Sequence, residues 1–417
     1  MEKFKVYGGN QLVGSTKIYG AKNACLPLLA ASILTEQKIV FNGMPNFRDV
    51  ANMEKILIDL GCKINIEGDN VEIDSATANK FSISSKLAKE IRSSIFMLGS
   101  LLSRFKRAKI AYPGGCDIGN RPIDLHIKGL RDLGVKIEER HGYIECDGSN
   151  MKAGIIHLEY PSVGATENLI MASVFNKGTT IIINGAKEPE IVDLATFINK
   201  MGGKVSGAGT ACIKIEGVQK LNGCTHTPIS DRIVGGTFLL AGAITGGNVE
   251  ISGINPEYLY SLTTKLSQSG CQISVLGDKI KLSTNGKRLK SVPSIETSPY
   301  PGFPTDLQSP MLCLQTVCKG TSVITENLFE TRFKLVAELK KMGADITVKD
   351  KVAIIHGVKQ LSGAEVFAED LRGGASLVLA GLVAQGYSEV NNIFHIDRGY
   401  YKFEEELERL GANIKRI

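Results

Sequence analysis

One thiol in the sequence stands in a setting suited to chemistry. Cys116 lies in PGGCDIGNRP, residues 113–122, where glycines and prolines work against a continuous helix or strand and leave a loop. A thiol is the side chain of that loop with a reference pKa near neutrality, and a neighbouring cation such as Arg121 favours the thiolate. A second set of residues is cationic. Lys22 in GAKN, Arg92 in EIRSS, Arg232 in SDRIVGG and Arg372 in DLRGG fall where apolar helices should begin. Arg48, Arg121, Arg332 and Arg398 fall beside the starts of amphipathic ones. The N-terminus of a helix carries partial positive charge and ordinarily takes Asp, Glu or a hydroxyl cap, so repeated cations there are unfavourable for the protein alone. Separate surface ion pairs would contribute little. Cations recurring at equivalent places and converging on one cleft would instead hold a strongly anionic ligand. Asp306 in PGFPTD occupies a helix start where sister segments place a cation. Residue type alone does not separate a cap from a general base at that position.

The remaining titratable residues point away from other chemistries. Cys62 and Cys271 occupy one slot of a repeated pattern, and Cys25, Cys313 and Cys318 fall within apolar helix patterns, so all five read as core residues. Nine scattered cysteines without CxxC or Cys/His spacing suit free thiols in a reducing cytoplasm, not disulfides or zinc. The six histidines form no triad; His126 and His395 read as packed or hydrogen-bonded groups near a cleft. No apolar run of membrane-spanning length and no signal-peptide pattern is present. A net charge of +6 suits small anions as well as nucleic acid.

The elements that must position these residues are set by a repeat. LGCKI, LGVKI, MGGKV, SGCQI, MGADI and LGANI place glycines at 61, 134, 202, 270, 343 and 411. The first three map onto the last three by a constant shift of 209 residues, so a triplicated half has been duplicated. Each signature closes an amphipathic helix, its glycine suits the position after the helix end, and a strand should follow. Upstream of it lies a second helix that is apolar on nearly all sides, as in ACLPLLAASIL and ASLVLAGLVA, and so should be buried. A strand such as TTIIING connects the two helices. The last repeat stops short of its final strand pair, and FKVYGGNQLVGSTKIYGAKN supplies the missing part. Two domains are therefore expected: residues 22–230, and a discontinuous one from residues 1–21 and 231–417.

GAKN, PGGCDIGNRP with DLHI, SVGAT, EPEIVD, FPTD, ETRF and DLR together resemble the UDP-N-acetylglucosamine 1-carboxyvinyltransferase family over essentially the whole chain. The resemblance implies a two-domain inside-out α/β barrel with helices buried and sheets outside. It implies transfer of the enolpyruvyl group of phosphoenolpyruvate to the sugar nucleotide for cell-wall synthesis, with no cofactor and no metal. Lys22, Arg121 and Arg398 would hold the phosphate, and Arg332 and Arg372 the carboxylate. Asn23 would contact the sugar and Arg92 would border the phosphate end. Cys116 would protonate C3 or assist product release, and would be the site alkylated by fosfomycin. Asp306 would face the attacking hydroxyl as base, with Glu190 and Asp370 supporting the cleft. The uridine diphosphate would lie against Arg121, Pro122, Ile123, Asp124, Leu125, Ser162, Val163 and Gly164, with Leu328 nearby. Tyr160 stands where some members carry a basic residue.

Three other readings compete. A shikimate 3-phosphate enolpyruvyl transferase would share the cationic pocket, but the Cys116 loop, SVGAT and DLHI argue against it. A nucleic-acid clamp needs cations spread along a surface, not gathered beside a thiol and an acid. A non-catalytic UDP-sugar-binding paralogue would have had little reason to keep Lys22, Cys116, Asp306, Arg332, Arg372 and Arg398 together. Phosphoenolpyruvate and the sugar nucleotide are thus the expected partners, with neither nucleic acid nor membrane involved. Two domains joined by two strands should also close when the sugar nucleotide binds.

Overall fold

The computed structural model describes Glu2–Gly114 and Ile123–Ile417. These residues divide into two compact units, one running from Gly20 to Ile229, the other combining residues up to Tyr19 with Ser230–Ile417.

In the first unit the helices Lys22–Ser32, Met97–Phe105 and Val163–Ser173 pack on one another. In the second, Arg232–Ile244, Gln308–Gln315 and Leu371–Val383 do the same. Their sequences explain why. Alanine, glycine and leucine cover all sides, and every residue of Arg232–Ile244 is buried. Close approach needs small residues: a Cβ on Gly99 would stand 2.2 Å from the carbonyl oxygen of Asn168 on the neighbouring helix. The amphipathic helices Arg48–Asp59, Asp124–Asp132 and Pro189–Lys200 belong to the first unit, and Tyr260–Ser269, Leu335–Lys341 and Phe403–Arg409 to the second. All six signature glycines follow these helices with φ between 87° and 104°, a region that a side chain would strain.

Among the described residues, six four-stranded sheets share one plan. In the sheet containing Thr179–Ile183, Ile155–His157 pairs with it in parallel and Cys212–Glu216 antiparallel, and Lys204–Ser206 forms the far edge. Alternate residues of these strands are buried, so each sheet presents one face to the helices and the other to solvent. Cys224–His226, the last strand of the first unit, pairs in parallel with Ile39–Phe41 of its first repeat. In the second unit Phe4–Tyr7 lies between Tyr387–Asn391 and Asn413–Arg416, and Val13–Lys17 pairs in parallel with Asn248–Ser252. Each unit is thus an α/β barrel turned inside out, with helices within and sheets around them.

Three helix starts differ from the pattern read in the sequence. The segment SSIFMLGSLL opens as a 3-10 helix, Arg92–Phe96, before becoming α-helical at Met97. Arg332 precedes its helix by a turn, since Leu335 is the first helical residue. Arg398 ends a 3-10 helix, Ile393–Arg398, and left-handed Lys402 delays the next helix to Phe403. No helix among the described residues is long and apolar enough to cross a membrane.

Candidate functional site

Within the second unit, two of the expected arginines meet around one carboxylate, that of Asp306. Asp306 lies in the 3-10 turn Thr305–Leu307, which continues into the buried helix Gln308–Gln315. The cap positions here are Pro304 and Leu307, neither with a side-chain cap hydrogen bond. The Asp306 carboxylate accepts from Nη2 of Arg332 through Oδ1, and from Nη2 of Arg372 at 3.1 Å through Oδ2. Asp370 caps the helix Leu371–Val383, accepting from the backbone N–H of Arg372 at 2.9 Å and of Gly373 at 3.0 Å. Its Oδ1 also stands 3.8 Å from Nη1 of Arg332. The cations at these helix starts are therefore compensated by carboxylates of the protein itself, which the helix-dipole argument alone did not foresee.

Arg372 is 1% exposed. Burial opposes its charge, but Tyr400, Asp306 and Asp231 outweigh that cost and raise its pKa further. Its guanidinium lies 5.2 Å from the centre of the Tyr400 ring. Its Nε and Nη1 have no hydrogen-bond partner, so two buried donors are available to an anion. Arg332 is equally buried, with Nε donating to the Thr305 hydroxyl at 3.3 Å and the Phe329 ring 5.4 Å away. Arg398 is half-buried at the end of its 3-10 helix. Leu328 is half-buried too, and its backbone N–H donates to Glu326 at 2.8 Å.

In the first unit, Lys22 opens the helix Lys22–Ser32, and its Nζ lies 3.7 Å from Oδ2 of buried Asp49. Asn23 follows it, half-buried. FRDV places Arg48 among the cations at helix starts, yet Arg48 is exposed and the next residue, Asp49, turns inward. Arg92 is half-buried at the start of its 3-10 helix. Ser162 caps the helix Val163–Ser173, its hydroxyl accepting from Ala165 N–H at 3.3 Å. Gly164 sits so close to Phe96 and His126 that a Cβ would approach both within 3.1 to 3.2 Å. His126, on the helix that Asp124 and Leu125 open, is buried, with Nδ1 3.0 Å from Nδ2 of Asn168. Ile123 is half-buried and Asp124 exposed. Cys116, Arg121 and Pro122 lie outside the described residues.

Two further carboxylates escaped the sequence reading. Glu326 is buried and fully supplied with donors; Glu167 is buried beside Glu190 and Glu188, with neither oxygen partnered. The core cysteines are as expected: burial pushes the thiols of Cys62 and Cys271 up to about 12, along with Cys318, while Cys25 and Cys313 are fully buried. The eight cysteines among the described residues are free. Among the described residues no three His, Cys, Asp or Glu side chains are grouped to hold a metal ion.

Comparison with known proteins agrees with this architecture. The family described as EPSP synthase (3-phosphoshikimate 1-carboxyvinyltransferase) matches residues 6–407. A UDP-N-acetylglucosamine 1-carboxyvinyltransferase 2 of Caldanaerobacter subterraneus subsp. tengcongensis is 49% identical over 417 residues, covering 100% of both chains. Among solved structures, an enolpyruvyl transferase from Streptomyces tendae superposes with a TM-score of 0.88 at 22% identity, covering 100% of this chain and 98% of that one. The EPSP synthase of Acinetobacter baumannii gives 0.75 at 20% identity over 100% of both. The structural likenesses speak for the fold, and full-length identity speaks for the branch. The chain belongs to the enolpyruvyl transferases and, within them, to the UDP-N-acetylglucosamine 1-carboxyvinyltransferase family.

Proposed function

We propose that this enzyme transfers the enolpyruvyl group of phosphoenolpyruvate to the 3′-hydroxyl of UDP-N-acetylglucosamine, the first committed step of peptidoglycan synthesis, in the cytoplasm. The observation that carries the reading is the 49% identity, end to end, with a curated UDP-N-acetylglucosamine 1-carboxyvinyltransferase. The hydroxyl adds to C2 while C3 gains a proton, forming a tetrahedral ketal. The ketal then loses phosphate from C2 and a proton from C3, restoring the double bond.

Arg332 and Arg372 bind the substrate carboxylate. The buried, unpartnered Nε and Nη1 of Arg372 support this assignment, since they suit a planar two-oxygen acceptor. As the substrate takes up their charge, Asp306 has less compensation for its own and becomes the better acceptor for the attacking hydroxyl's proton. Lys22, Arg121 and Arg398 take the phosphate, Asn23 the sugar, and Arg92 borders the phosphate end. Cys116 delivers the proton to C3 or assists product release. Glu190 and Asp370 brace these groups. The uridine diphosphate lies along Arg121 to Leu125 and Ser162 to Gly164, beside Leu328.

The test is the product itself. Incubation with both substrates should give an enolpyruvyl ether on the 3′-oxygen, identified by mass spectrometry and NMR. Asp306→Asn should lower kcat by about a hundredfold or more. An enolpyruvyl group found on shikimate 3-phosphate instead would move the chain to the other branch of the family.

A further inference from the structure

The turn after the strand Thr321–Thr325 is built unlike three of its sisters. In three other repeats the residue that follows the equivalent strand is left-handed: Asn184 at φ 59°, Gly253 at 76° and Asn392 at 59°. Here the position is Glu326, which is not left-handed and turns its carboxylate inward, to 3% exposure. Its Oε1 accepts from the Thr297 hydroxyl at 2.9 Å and from the backbone N–H groups of Leu328 at 2.8 Å and Phe329 at 3.1 Å. Its Oε2 accepts from the Thr305 hydroxyl at 3.0 Å. Thr297 is fixed in turn, accepting from Asn327 N–H at 2.9 Å.

Two arms run from this carboxylate to Arg332. One passes through Phe329, whose backbone Glu326 holds and whose ring lies 5.4 Å from the guanidinium. The other passes through Thr305, which gives its hydroxyl proton to Glu326 and accepts from Nε of Arg332 at 3.3 Å. Thr305 is also the residue before Asp306. One buried carboxylate thus governs both partners of the Arg332–Asp306 pair, and its direction of hydrogen bonding matters. An acceptor-only group at residue 326 takes the Thr305 hydroxyl proton and so turns the lone pairs toward Arg332, whereas a donor facing Thr305 would release that proton and loosen the hydroxyl's orientation.

We propose that Glu326 is a positioning residue for the carboxyvinyl transfer, fixing Arg332 and Asp306 through the Thr305 hydroxyl. The assignment rests on the roles given above to Arg332 and Asp306. It touches no substrate; it sets where the guanidinium points.

The experiment compares wild type with Glu326→Gln, Thr305→Val, the double variant and Thr305→Ser. It measures KM for each substrate, kcat, Tm, and the NMR signal of the Arg332 Nε–H. Glu326→Gln and Thr305→Val should each lower kcat/KM for phosphoenolpyruvate about tenfold, with KM for the sugar nucleotide changed less than about twofold. The double variant should be no worse than the poorer single one, because both cut one path. Thr305→Ser should restore activity. The slowly exchanging Arg332 Nε–H should be lost in Glu326→Gln and Thr305→Val and retained in Thr305→Ser. Multiplying losses, or loss of affinity for both substrates in step with Tm, would reduce Glu326 to a structural role. An unchanged Nε–H signal in the two variants would overturn the proposal even for a protein that turns over neither substrate. Absence of wild-type turnover with the signal behaving as expected would instead fault the function and spare the geometry.

Discussion

Glu326 and Glu167 are buried to nearly the same degree, 3% and 1% exposed, yet the protein treats them in opposite ways. Glu326 receives four hydrogen bonds, which suits an acceptor-only carboxylate. Glu167, within the helix Val163–Ser173, has no partner on either oxygen. Burial, and then the nearby Glu190 and Glu188, raise its pKa well above the ordinary carboxyl range, so it is held as the neutral acid. Burial is common to the two groups; the supply of hydrogen-bond donors is what separates them. One group can organise a turn, whereas the other is tolerated as a polar filling of the core.

The largest effect should come from removing the supplied carboxylate. Glu326→Ala strands four donors, and a stability loss of about 3 kcal/mol or more should appear in denaturant unfolding. Glu326→Gln keeps the Oε1 acceptor and should cost about half of that. Glu167→Gln replaces a neutral acid by a neutral amide, so near the acid end its Tm should match wild type within about 2 °C. The pH dependence separates the two groups further. A raised carboxyl pKa favours folding below the unfolded value, and this contribution is lost as pH rises toward the folded value. Wild-type Tm should thus decline across that window and Glu167→Gln should flatten the decline. A smaller version should be seen at Glu54, which burial raises from 4.5 to about 7; Glu54→Gln should remove a fall in Tm between those values. If Glu326→Gln were as harmless as Glu167→Gln, the contrast between the two carboxylates would collapse.

Much of this was legible because repetition multiplies weak signals. One LGxxI segment means little, but six with constant shifts identify helix ends, and all six glycines are left-handed. All-round apolarity marked the central helices, since no solvent-facing stripe was left in ACLPLLAASIL or ASLVLAGLVA. What stayed hidden lies in the exceptions to the repeat. Arg332 and Arg398 stand off their helices because local turns and left-handed Lys402 intervene, and hydrophobic periodicity carries no mark of such turns. Asp49 escaped notice because its neighbour Arg48 fitted the cationic pattern, although one residue turns a helix by about 100°, enough here to pass from the exposed side to the buried one. Glu326 could have been found by asking which repeats lack Asn or Gly after that strand, a question that singles out Tyr112 and Glu326. Asp306 illustrates the other limit: type and position left cap and base open, and its ion pairs with Arg332 and Arg372 are long-range contacts.

The most direct measurement is phosphate release from phosphoenolpyruvate, with UDP-N-acetylglucosamine or shikimate 3-phosphate as acceptor, for wild type and Cys116→Ser. Release with the sugar nucleotide alone, sharply reduced in the variant, is the predicted result. Release with shikimate 3-phosphate, or with neither acceptor, would contradict the account.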